Sequence, residues 1–201
     1  MEIIKQLDVD LSRLAEELRA GKTLVYPTET CYGLGGDATN QMVVDRIFTI
    51  KERQREKALL VIVPNLAMIQ ELVEWDQKMD EIAKKYWPGP LTVVASVKPG
   101  TVLAQGVVSV DNTVAFRVTN HPFSAGLAKA LNRPLISTSA NITAAGNCYD
   151  PVSVQQMFQD RAAQPDFLID GGDLPHRSPS TIIRIESGRV RVLRQGEIIV
   201  E

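Results

Sequence analysis

The chain has 201 residues, enough for about one domain and too few for two full-sized catalytic domains. A hydrophobic fraction of 44% with 23% charged residues, 13 glycines and 11 prolines excludes disordered and collagen-like classes. Lysine plus arginine (22) nearly balance aspartate plus glutamate (24), a net charge of −2, so an anionic partner has to be met by a local basic patch.

Asp10 can cap a first helix whose Leu11, Leu14, Ala15 and Leu18 recur every three to four residues, with Gly21 as its stop. Thr23 to Tyr26 reads as a short buried strand, and Pro27 removes a ladder donor, so the chain turns at 27–30. Gly33, Gly35 and Gly36 then predict a loop whose backbone can approach a ligand. Asn40 caps a second helix carrying Val43, Val44, Ile47 and Phe48, which delivers Lys51 at its end. A basic cluster, Lys51, Arg53, Arg55 and Lys57, precedes a core strand from Ala58 to Val63. Helical spacing returns through Ile69, Leu72 and Val73 and through Met79, Ile82 and Ala83, and ends at the stiff turn Trp87-Pro-Gly-Pro90. Strands are expected at 91–97, 113–118, 134–138, 167–169, 181–185 and 190–193, with helices near 122–131 and 151–158. This mixed alternation argues an α/β fold. No linker, low-complexity tract or fixed-period repeat interrupts it, so one domain over residues 1–201 is expected.

Four cations in seven residues, Lys51 to Lys57, would place alternate side chains on one side of an extended segment and could rim a phosphate site; a solvated charged loop is the alternative. Ser137-Thr-Ser-Ala-Asn141 follows the strand Pro134-Leu-Ile136 at its carboxyl end, where ligands bind in open α/β sheets. Ser139 and Asn141, two apart, can point to one polar group, or the segment is an ordinary turn or cap. Pro27-Thr28 and Pro179-Ser180 each set a hydroxyl beside a strand, as ligand donors or as turn initiators. Arg117 lies in the apolar run Val114 to Val118, so its guanidinium needs an anion, either a ligand carboxylate or an internal Asp or Glu.

Several familiar devices are missing. No P-loop and no dinucleotide-binding glycine fingerprint occurs, so a nucleotide would be held differently. His121 and His176 form no metal pair, and no Gly-x-Ser-x-Gly supports a serine hydrolase. Cys31 and Cys148 are too few for a disulfide scaffold or a cysteine-built zinc site and fit a reducing cytoplasm, with Cys31 read as a small buried thiol in preference to a nucleophile. The amino terminus lacks the basic start and apolar stretch of a secretory signal, and the run Leu59 to Val63 is far too short to span a bilayer. A soluble cytoplasmic protein without membrane contact is expected.

Taken together and in order, Tyr26-Pro-Thr-Glu-Thr-Cys-Tyr-Gly-Leu-Gly35, Lys51-Glu-Arg53, Trp87-Pro-Gly-Pro-Leu-Thr92, Thr113-Val-Ala-Phe-Arg117, His121-Pro122, Ser137-Thr-Ser-Ala-Asn141, Ile169-Asp-Gly-Gly172 and Pro179-Ser-Thr-Ile182 resemble the YrdC-like family of threonylcarbamoyl-AMP synthases. The resemblance runs from Thr23 to about Gly196. It implies an open twisted mixed β-sheet flanked by helices around a large basic concave cavity. The implied reaction joins L-threonine, bicarbonate or CO2, and ATP into threonylcarbamoyl-adenylate and pyrophosphate. Lys51, Arg53, Ser139 and Asn141 would hold the ATP phosphates and carry catalysis, with Arg55, Thr113, Asn147 and Arg194 as further nucleotide contacts. Thr28, Arg117, Ser137 and Ser180 would form the threonine pocket, Arg117 pairing with the amino-acid carboxylate. Mg2+ is expected on the ATP phosphates, held by phosphate oxygens and water.

The product would pass to a downstream threonylcarbamoyl transferase for tRNA modification, and tRNA or double-stranded RNA is a further candidate partner. A non-enzymatic RNA-binding module of the same fold is the alternative, separable by the salt dependence of RNA binding. Three departures stand out: Glu52 and Gln54 within the usual Lys-Gly-Arg-Pro, Ala58 for a common proline, and Ile62 where some relatives have a threonine-contacting histidine. The end at Glu201 implies the short single-domain form.

Overall fold

Local signals start and stop the helices in the computed structural model, which describes residues 1–186 and 188–200. Asp10 Oδ1 accepts from the N–H groups of Ser12 and Arg13 and opens α1 (Leu11–Arg19), whose Leu14, Ala15 and Leu18 are buried. Gly21, just past its end, takes a φ of 96°. Asn40 caps α2 (Gln41–Lys51) in the same way. Asn65 and Asp76 cap α3 (Leu66–Leu72) and α4 (Gln77–Tyr86). Proline opens α5 (Pro122–Leu131) and α6 (Pro151–Phe158), at a position where its missing N–H costs no helical bond.

The strands are β1 (Glu2–Lys5), β2 (Leu24–Pro27), β3 (Tyr32–Gly35), β4 (Val61–Val63), β5 (Leu91–Ser96), β6 (Thr113–Val118), β7 (Leu135–Ile136), β8 (Thr138–Ser139), β9 (Phe167–Asp170), β10 (Thr181–Glu186) and β11 (Arg189–Arg194). They form two open mixed sheets, in the orders β1-β9-β2-β3-β8 and β11-β10-β5-β6-β4-β7. The expected α/β fold with a mixed sheet is therefore present, with its strands divided between two sheets. One core joins them: Val25, Tyr32 and Leu34 of the first sheet pack in the same cluster as Val61, Leu91, Val93 and Phe116 of the second.

Three expectations change. The predicted strand at 134–138 breaks at Ser137: β7 pairs antiparallel with β4 in one sheet and β8 pairs antiparallel with β3 in the other. The predicted strand from Ala58 shortens to Val61–Val63. Gly33 and Gly35 lie in strand β3 and not in a loop, and Gly36 follows its end; Gly33 lines the cavity described below, as expected of backbone beside a ligand. A Cβ on Gly35 would lie 2.0 Å from the Ile136 carbonyl oxygen and one on Gly36 2.5 Å from Val43 Cγ1, so these glycines admit neighbouring chain in place of a ligand. β1 was not predicted; its mostly exposed residues form a strand because they pair in parallel with β9.

Gly35→Ala should destabilise the protein by about 3 kcal/mol or more in urea unfolding, because backbone has to move to admit the methyl. Gly146→Ala, with open space around its Cβ position, should stay within about 0.5 kcal/mol of wild type.

Candidate active site

A cavity of about 240 Å3 opens beside the break at Ser137. Arg53, Arg117 and Arg194 lie in its wall with the hydroxyls of Thr28, Thr30, Ser137, Thr138, Ser139 and Ser180, and its lining includes no carboxylate among the described residues. Three cations among neutral donors favour an anionic ligand with polar substituents. A larger hollow of about 550 Å3 beside β1 and α1 has the opposite balance: Glu2, Asp8, Asp10, Glu17 and Asp166 outnumber Arg13 and Lys22. Charge selects the smaller cavity for an anion.

Lys51 stands at the carboxyl end of α2 and is 2% exposed. Its Nζ donates to Ser139 O at 2.5 Å, Asn141 O at 2.8 Å and Asn141 Oδ1 at 3.0 Å, which uses all three ammonium protons. The Lys51 carbonyl in turn accepts from Thr143 N and Thr143 Oγ1, both at 2.9 Å. Ser139 Oγ donates to Asn141 Oδ1 at 2.6 Å, and Asn141 Nδ2 donates to Ala145 O at 2.5 Å. Lys51 thus fastens the 139–145 segment to α2 and, when protonated, sets a positive charge next to Ser139. Burial first, then the neighbouring Arg53, push its ammonium down to about 7.

The cationic run does not lie along one extended edge as its spacing suggested. Lys51 closes a helix and Glu52 turns back with a left-handed φ of 49°, which sends the later cations apart. Arg53 Nε and Nη2 donate to Lys57 O and Ala58 O at 2.8 and 3.0 Å, fixing it in the cavity wall. Arg55 pairs with Asp45 at 2.7 Å and covers the Phe48 ring, beside a separate hollow that Ser109 also lines. Thr113 Oγ1 lies 2.8 Å from that Ser109 hydroxyl and donates to Asp111 Oδ1 at 2.9 Å, so it too stands outside the cavity lining.

The Arg194 guanidinium, from β11, donates to Ser180 O through Nε (3.2 Å) and Nη2 (2.7 Å), and Nη2 reaches Ser180 Oγ at 3.1 Å. That hydroxyl, just before β10, also lies 2.9 Å from Thr92 Oγ1 on β5. Burial lowers the affinity of Arg53 and Arg194 for their protons, with Arg117 adding to the effect at Arg194, yet guanidinium remains charged at neutral pH.

Arg117, on β6, has an internal anion: its Nε lies 3.0 Å from Glu29 Oε1. Its Nη groups make no hydrogen bond among the described residues. Thr28 Oγ1 donates to Cys31 O at 2.6 Å and accepts from Thr30 N at 3.2 Å, so it closes the 27–30 turn and lines the cavity at once. Burial pushes the Cys31 thiol up, which leaves it a poor nucleophile at neutral pH.

Of the residues singled out from sequence, Thr28, Arg53, Arg117, Ser137, Ser139, Asn147, Ser180 and Arg194 line the cavity, and Lys51 and Asn141 are bonded to its wall. Arg55 and Thr113 do not join them. Ile62, one of the departures from the family pattern, is fully buried in the core with Leu135 and Ile169, and Leu60 lines the cavity. Glu29 was legible only as part of Pro27-Thr-Glu-Thr30, and Thr92 only within the Trp87 to Thr92 motif.

The ordinary Lys side chain titrates at 10.5 and the folded-state value is about 7, so between these the unfolded chain binds more protons and stability rises with pH. The unfolding free energy of wild type relative to Lys51→Met should therefore grow upward from about pH 7, by up to ~1.4 kcal/mol per pH unit in urea titrations. A pH-independent difference would contradict the depressed affinity.

The chain is similar to several known proteins. A threonylcarbamoyl-AMP synthase of Pseudomonas fluorescens is 34% identical over 185 residues, covering 90% of this chain and 95% of its own. One from Pyrococcus abyssi is 31% identical over 185 residues, covering 92% of this chain, which spans only 53% of that longer protein. The crystal structure of P. abyssi Sua5 complexed with L-threonine superposes with a TM-score of 0.85 at 29% identity, over 97% of this chain and 56% of the other. The profile of the Sua5/YciO/YrdC family, described as telomere recombination, matches residues 16–196, and the chain belongs to that family.

Proposed function

We propose that the chain is a threonylcarbamoyl-AMP synthase, which makes threonylcarbamoyl-adenylate and pyrophosphate from L-threonine, bicarbonate or CO2, and ATP, for transfer onto tRNA by a downstream enzyme. The observation that carries the reading is the cavity, free of carboxylates among the described residues, in which Arg53, Arg117 and Arg194 share a wall with the Ser139 segment that Lys51 fastens.

The neutral threonine amine adds to the carbon of CO2, forming the N–C bond of a carbamate as one C=O π bond opens onto oxygen, and the proton it loses goes to solvent water. A carbamate oxygen then attacks the α-phosphorus of ATP, the bond from that phosphorus to the bridging oxygen breaks, and pyrophosphate leaves with the electron pair. Two anions have to approach each other, so the site's work is to cancel repulsion and fix geometry. Arg117 takes the threonine carboxylate through its Nη groups, and the hydroxyls of Thr28, Ser137 and Ser180 read the substrate's own polar groups. Arg53 and Arg194 meet the phosphates, while Lys51 and Asn141 hold the Ser139 segment in place, and the Ser139 hydroxyl donates to a phosphate only on turning from Asn141 Oδ1. The lining offers no histidine or carboxylate among the described residues, so its residues supply charge and orientation more readily than proton transfer.

The cavity is smaller than the roughly 300–1,000 Å3 usual for a whole ligand site, so it suits the amino-acid carbamate and the reacting phosphate. Asn147 joins it to an open hollow of about 710 Å3 beside α6, into which the rest of the nucleotide can extend. Arg55 and Thr113 are left out of the reacting set. The cavity lining carries no carboxylate among the described residues, so Mg2+ would arrive on ATP, held by phosphate oxygens and water. No helix among the described residues is long and apolar enough to cross a membrane. Two free, buried cysteines suit a reducing compartment, and we assign the cytoplasm.

The deciding experiment incubates the protein with ATP, bicarbonate and threonine, serine or valine, and follows pyrophosphate and the adenylate by mass. Pyrophosphate should depend jointly on threonine and bicarbonate. Serine, lacking one methyl, should fall about 10- to 200-fold in kcat/KM. Arg117→Ala should lower kcat/KM for threonine by about 100-fold. ATP turnover without any amino acid, or only salt-sensitive RNA binding, would overturn the reading.

A further inference from the structure

Glu29 is 6% exposed and sits outside the cavity lining, yet it is the anion next to Arg117, itself 4% exposed. Each of its oxygens is claimed by the end of β6. Oε1 lies 3.0 Å from Arg117 Nε, and Oε2 accepts from Thr119 Oγ1 at 2.6 Å. Residues 117 and 119 are two apart, the spacing that puts two side chains of an extended chain on the same side. Thr119 is fixed in turn, because its Oγ1 accepts from His121 N at 3.2 Å. The Glu29 carboxylate therefore joins the 27–30 turn, which carries Thr28, to the strand that carries Arg117.

The edge of the guanidinium that Glu29 meets decides what remains. An internal carboxylate on the Nη1/Nη2 fork would occupy the face best suited to a ligand carboxylate. Glu29 meets Nε instead, and the Nη groups make no hydrogen bond among the described residues. The Nε–Oε1 approach is close but lacks hydrogen-bond alignment, so both atoms are buried without a hydrogen bond and charge attraction holds the pair. A buried guanidinium without a compensating anion would be strongly disfavoured, so Glu29 permits Arg117 to be there at all.

We propose that Glu29 is a positioning residue for recognition of the amino-acid substrate: it holds Arg117 by its Nε edge so that the Nη fork stays open to the carboxylate of L-threonine. This rests on the reading that the cavity takes threonine. The two possible effects of Glu29 have opposite signs. As a mere negative charge it would repel the carboxylate, and its removal would tighten binding. As a positioning group its removal lets the guanidinium turn away, and binding weakens.

The test titrates L-threonine calorimetrically into wild type, Glu29→Gln and Glu29→Asp, and measures pyrophosphate release with ATP and bicarbonate on the same samples. Glu29→Gln should weaken threonine binding by about tenfold or more and raise its KM alike, with KM for ATP within about twofold of wild type. Glu29→Asp should recover part of the loss. Should Glu29→Gln fail to fold, Thr119→Val, which frees only Oε2, should weaken threonine binding by about threefold or more. Equal or tighter threonine binding in Glu29→Gln, or equal rises in KM for threonine and ATP together with a lowered melting temperature, would overturn the proposal. A wild type that binds threonine without forming adenylate would sink the synthase reading alone, with Glu29 still judged by the binding ratios.

Discussion

An ammonium group placed inside a protein has to find acceptors for its protons, and at the end of α2 that requirement organises the candidate site. Lys51 finds them in the carbonyls of Ser139 and Asn141 and in the Asn141 side chain. Each bond offsets part of a desolvation cost that is several kcal/mol for an isolated charge. The bonds also settle the shape of the Ser139 to Ala145 segment, because the backbone oxygens that receive the protons cannot move without stranding them. A residue that looks from sequence like a free cation for phosphates works in the fold as a charged fastening, and its electrostatic contribution comes from just beyond the wall.

The other cations arrive by separate routes: Arg53 from the turn after α2, Arg117 from β6, and Arg194 from β11. Their meeting depends on the division of the strands between two sheets. The break at Ser137 hands the chain from the partner of β4 to the partner of β3, and the absent Cβ at Gly35 leaves room for the Ile136 carbonyl at that crossing. Backbone packing of a few ångströms thus determines whether hydroxyls and guanidiniums share one cavity.

Each arginine is also tied to protein oxygen. Arg53 holds loop carbonyls, Arg194 holds Ser180, and Arg117 faces Glu29. A site whose charges are held before the ligand arrives need not reorganise when anionic groups enter, which is the condition under which electrostatic stabilisation is most effective.

Asp10, Asn40 and the prolines at 122 and 151 set helix starts that are readable directly, because a cap or a missing N–H acts within one turn of chain. The motif order carried the family, and most of the residues it pointed to do line the cavity. The tertiary structure alone decided that Lys51 is buried, that Arg55 leaves for the surface, that Leu60 lines the cavity while Ile62 is buried in the core, and that Glu29 is the anion for Arg117. It also decided that β1 is a strand and that 134–138 serves two sheets. Burial and charge pairing join residues far apart in the chain, such as 29 with 117 and 51 with 139, so no local pattern encodes them.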